Sequence, residues 1–67
     1  MMIKVQCQDR RWRVVQPGHA DAADFECGAT AFDLADALAR AHHEQTGSAA
    51  AVRVEVQDAF VDAVRYG

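Results

Sequence analysis

The segment from Thr30 to Gly47 (TAFDLADALARAHHEQTG) constrains this chain most, because its signals all specify one helix. Thr30 is placed to cap the N-terminus, since a threonine hydroxyl can accept from a backbone N–H that has no partner inside the helix. Asp33 and Asp36 put negative charge near the positive end of the helix dipole, and Arg40, His42 and His43 fall in its later half. Asp36 and Arg40 stand four residues apart, in the order that supports a helix. Gly47 supplies the left-handed residue that ends it. At about 100° per residue, Ala31, Leu34, Ala35, Ala37, Leu38, Ala41 and Gln45 form one stripe. Asp33, Asp36, Arg40 and Glu44 take the solvent side. Phe32 falls outside the stripe, about 160° from Leu34.

One helix cannot bury its own stripe, so the flanks must supply the other layer. They alternate as strands do. Ile3, Val5 and Cys7 face one way, and Lys4, Gln6 and Gln8 the other. Asp9-Arg10 forms a tight turn without the glycine such turns prefer, and Arg11 to Gln16 returns with Trp12 and Val14 on one face. Pro17-Gly18 ends this second strand. Residues 19–29 have no clean period, although Phe25 to Cys27 suits a short extended piece. Val52, Val54 and Val56 alternate with Arg53, Glu55 and Gln57, and their β-branched content opposes a helix. The last ten residues fit a strand after a turn at Asp58-Ala59 or a short helix. The strand reading is preferred because the preceding strand needs a neighbour. The expected fold is a single α+β domain over residues 1–67, in the order β-β-α-β-β, with the helix on one face of a small antiparallel sheet.

Trp12-x-Val14 in the first hairpin, Thr30 opening an alanine-rich helix, the alternating third strand and a terminal Tyr66-Gly67 together resemble a family of short bacterial proteins of unknown function. The resemblance spans nearly the whole chain and implies the same hairpin, helix, hairpin order. Members commonly carry Asp-Gly in the last turn, where this chain has Asp58-Ala59. The family implies no activity, substrate or catalytic residue.

Leu, Ile, Val and Phe together supply only fourteen of the 67 residues, so the core of one copy is small. The two cysteines, the direct entry into alternating residues after Met1-Met2 and the lack of any long apolar run point to a cytoplasmic chain with free thiols and no membrane span. Net charge is −3, but residues 1–16 carry +3 and residues 17–48 carry −5.

Neither a catalytic nor a metal motif is recognisable. His19, Asp21, Asp24 and Cys27 lack the paired spacing of a zinc site and read as a polar loop. His42 and His43, being adjacent on a helix, point about 100° apart and suit a helix-end cation pair rather than one ion. Cys7 belongs to the core face, whereas Cys27 lies near the helix N-terminus, where a thiolate is stabilised. No histidine base accompanies it at a recognisable spacing, and no cofactor is implied.

Two function classes remain. The first is a non-enzymatic protein-interaction module, a homodimer or an accessory subunit with an unidentified protein partner. Val15 and Phe32 are its candidate dimer contacts, because neither has an obvious home in a monomer. The alternative is a nucleic-acid-binding protein using Lys4, Arg10, Arg11 and Arg13 of the basic first hairpin. The acidic chain as a whole disfavours nucleic acid.

Overall fold

The computed structural model describes residues 1–18 and 22–67. Its elements are β1 (Met2–Gln8), β2 (Arg11–Val15), β3 (Ala23–Phe25), α1 (Gly28–Thr46), β4 (Ala50–Val56) and β5 (Ala59–Tyr66). They form one helix and a five-stranded sheet in the order β3-β2-β1-β4-β5. The expected α+β class and the order β-β-α-β-β hold, with the short β3 added before the helix. The sheet is mixed rather than wholly antiparallel, because β1 and β4 pair in parallel at its centre. A parallel pair needs a crossover, and the segment through α1 provides it.

Two tight turns set the hairpin registers. Asp9 and Arg10 both adopt positive φ, 54° and 63°, the form that matches the twist of a two-residue hairpin. The second turn falls at Gln57-Asp58, one residue earlier than expected, with Gln57 at φ 54°. The terminal segment is a strand, as preferred, and it pairs along the whole of β4 with a bulge opposite Val52/Arg53.

The helix begins earlier than Thr30. Cys27 is the N-cap, and its carbonyl accepts from the Ala31 N–H at 3.1 Å. Thr30 therefore lies within the first turn instead of capping it. Gly28 makes this start possible, because a Cβ there would come within 2.7 Å of two ring carbons of Trp12. Gly28→Ala should accordingly lower stability by about 1–3 kcal/mol in urea denaturation, the range for overpacking. Gly47 ends the helix in the left-handed region, φ 74°, and donates to the His43 carbonyl at 2.8 Å.

The core lies between α1 and one face of the sheet. Ile3, Val5, Val14, Ala50 and Val52 are buried against Ala31, Ala35 and Ala39. The buried ridge thus runs through three alanines spaced by four, and the expected Ala37 and Gln45 are exposed. Small side chains let the helix approach the sheet closely, while Phe32, Leu34 and Leu38 straddle the contact line, half-buried against the core. Phe32 therefore has a home within one copy, contrary to its assignment outside the stripe. The reason is the phase of the helix: its inward line follows the alanines and not the leucines.

Asp36 also departs from its solvent-side assignment. It accepts a hydrogen bond from the Tyr66 hydroxyl of β5, while Arg40 Nη2 lies 3.3 Å from its other oxygen. This clamp ties the last strand to the helix. Asp36→Ala should cost about 1.5–3 kcal/mol, the range for a hydrogen bond to a charged group, in the same denaturation assay.

Candidate functional site

The side of the sheet away from α1 is uncovered. Lys4 and Gln6 of β1 pair with Val15 and Arg13 of β2 on one side and with Arg53 and Glu55 of β4 on the other. Strand alternation places all of these side chains on the open face, together with Arg11, Asp24, Asp62 and Arg65. Five of the seven Lys and Arg residues therefore share one surface, with three carboxylates among them. That surface carries +2, while the rest of the sequence carries the remaining −5 of the net −3.

Several of these charges are already engaged. Arg13 reaches Asp24 at 3.4 Å, Arg53 reaches Asp62 at 2.8 Å, and the Gln6 side-chain amide donates to Glu55 at 2.8 Å. The Arg53 guanidinium also lies 4.3 Å from the centroid of the Phe60 ring. Its hydrogen bond holds the Asp62 carboxyl below the usual carboxylate range. The folded state favours the ionised form, so this contribution is present above the ordinary Asp pKa and is lost as pH falls through the lowered one.

The predicted basic residues are only partly united. Lys4, Arg11 and Arg13 share the open face, whereas Arg10 sits in the β1–β2 turn. Val15 lies on the open face and Phe32 on the helix side of the sheet, so these two do not form one patch. Four residues before Asp36, Phe32 shares the side of α1 that Asp36 turns toward β5.

The apolar groups that do lie bare are elsewhere. Phe60 and Val61 of β5 are 60% and 59% exposed, and Val56 at the end of β4 is 42% exposed. They flank the Gln57-Asp58 turn at one end of an eight-residue edge strand. The opposite edge, β3, has only three residues and is guarded by the Arg13–Asp24 pair. Sequence reasoning missed Phe60 and Val61 as surface groups. Alternation puts Phe60 and Val61 on opposite faces of β5, but it does not say that this strand lies at the edge of the sheet.

Little else offers chemistry. An open depression of about 780 Å³ lies between the two hairpin turns, lined by Gln6, Cys7, Arg10, Glu55 and Gln57 among others. Among the described residues, no group of three or more His, Cys, Asp or Glu could hold a metal. His19 and Asp21 lie outside the described residues; Asp24 belongs to the Arg13 pair. His43 points its Nδ1 at the Ser48 carbonyl, 3.0 Å away, and so joins the end of α1 to the following loop. No helix among the described residues is long and apolar enough to cross a membrane.

Cys27 is exposed, and both cysteines are free. The backbone N–H groups of Thr30 and then Ala29, followed by the Thr30 hydroxyl, pull its thiol pKa down from the ordinary value. Iodoacetamide should therefore modify Cys27 before the half-buried Cys7, with a pH midpoint below that of a free cysteine. Peptide mapping after timed labelling reads the order.

The fold and surface together define an open-faced α+β sheet domain whose longer edge strand, β5, carries exposed apolar side chains. No protein-family model, curated protein or solved structure matches the chain.

Proposed function

We propose that this protein is a non-enzymatic interaction module that works as a homodimer. The observation that carries the reading is the β5 edge, the outer side of an eight-residue strand that bears the exposed Phe60 and Val61. An edge strand presents a row of free N–H and C=O groups, and a second copy offers the same edge in return. The small core of each copy adds a motive, because association buries apolar surface that one chain leaves in water. A cytoplasmic location suits the two free thiols. Melting temperature measured across a wide range of protein concentration tests the reading. It should rise with concentration; a constant value would exclude the dimer as the stable form.

A second reading rests on a separate observation, the gathering of five cations on the open sheet face. That face would suit a nucleic-acid backbone, whose binding weakens steeply with salt. With Arg13 and Arg53 already paired and a surface charge of only +2, binding at physiological salt should be undetectable. A salt-sensitive micromolar complex would reverse the ranking.

A further inference from the structure

Resting on the homodimer reading, we infer the register of the dimer: β5 pairs antiparallel with β5 of a second copy, about a two-fold axis through Val61. The β4–β5 hairpin fixes which backbone groups face the edge. Val56 pairs with Ala59 across the two-residue turn, so that pair is hydrogen-bonded. Pairs in an antiparallel ladder alternate, which turns the backbone groups of Ala59 and Val61 toward β4 and those of Phe60 and Asp62 toward the open edge. A second copy can bond only where edge-facing residues meet edge-facing residues.

The bulge in β5, opposite Val52/Arg53, confines regular pairing to the half between the turn and Asp62. Within it, placing Val61 opposite Val61 sets Phe60 opposite Asp62 twice, and both of those pairs are hydrogen-bonded. Sliding the second copy by one residue opposes edge-facing groups to groups already turned toward β4. Sliding it by two residues opposes Asp62 to Asp58 in one direction and to its own counterpart in the other. Like charges directly opposite are destabilising, so one register survives.

The surviving register also covers what is bare. Val61, 59% exposed, meets its symmetry mate on the helix side of the sheet. On the open face, Asp62 of the second copy comes beside Phe60, over which Arg53 already lies at 4.3 Å. Each Asp62 thus gains a second cation, and each Phe60 ring a neighbour. Opposite residues of an antiparallel pair share a face, so both helices fall on one side of a continuous sheet. The two cationic faces join on the other. With few paired residues, the interface is small and the complex is a dissociating one.

Cysteine cross-linking tests the register. In a Cys7→Ser, Cys27→Ser background, checked for folding by circular dichroism, Val61→Cys should oxidise to a covalent dimer, because Cα atoms of a non-bonded pair lie about 4.5 Å apart. Ala59→Cys should not, since its counterpart lies four residues away along the ladder, beyond disulfide reach by about twofold. Sedimentation of the same background chain separates the two ideas. A dimer that cross-links through Ala59 and not Val61, or through neither, overturns the register and leaves the homodimer standing. A monomer that cross-links at neither position overturns both.

Discussion

Ala35→Asp should abolish the cooperative unfolding transition of this protein. Ala35 is fully buried at the centre of the alanine ridge, and no polar or charged side chain is buried among the described residues. A carboxylate there has no partner and costs several kcal/mol even if it takes up a proton. At roughly 0.05–0.15 kcal/mol per residue, a chain of this length has a margin of about 3–10 kcal/mol to set against that loss. Ala37→Asp supplies the comparison, because Ala37 is exposed on the same helix. It should change stability by no more than about 0.5 kcal/mol. Urea denaturation followed by circular dichroism ranks the two. A stable Ala35→Asp protein beside an unfolded Ala37→Asp protein would contradict the phase in which the alanine ridge faces the sheet.

That contrast marks what the sequence made legible. Strand alternation in Ile3-Val5-Cys7 and Val52-Val54-Val56 identified β1 and β4, and Gly47 identified the helix end, because each signal is local and has one physical meaning. The helix phase was not legible in the same way. Hydropathy weights leucine above alanine, yet the closest approach of helix to sheet selects the smallest side chains, so Ala39 is buried and Leu34 only flanks. Asp36 was misplaced for a related reason: its partner, Tyr66, lies thirty residues away, and nothing in local spacing announces that bond. The parallel β1–β4 pairing is likewise a long-range choice. Of the site, the basic character of β1 and β2 was visible. The bare β5 edge depended on strand order, which alternation leaves open.

Val61→Lys should weaken dimerisation by about a hundredfold or more. The proposed axis passes through Val61, so the substitution sets two ammonium groups directly opposite each other, and like charges so placed cost several kcal/mol. The monomer loses little, because Val61 is 59% exposed within one copy. Association and folding are therefore separable at this position: the far-ultraviolet spectrum should be unchanged while the concentration dependence of melting disappears. A Val61→Lys protein that retained the wild-type concentration dependence would remove Val61 from the interface.

Sedimentation equilibrium of the wild-type chain reads the dimer without any substitution. Homodimerisation through β5 predicts an average mass that rises with concentration and approaches twice the 7.3 kDa of one chain at micromolar concentration and above. A single species of 7.3 kDa at every concentration would contradict it.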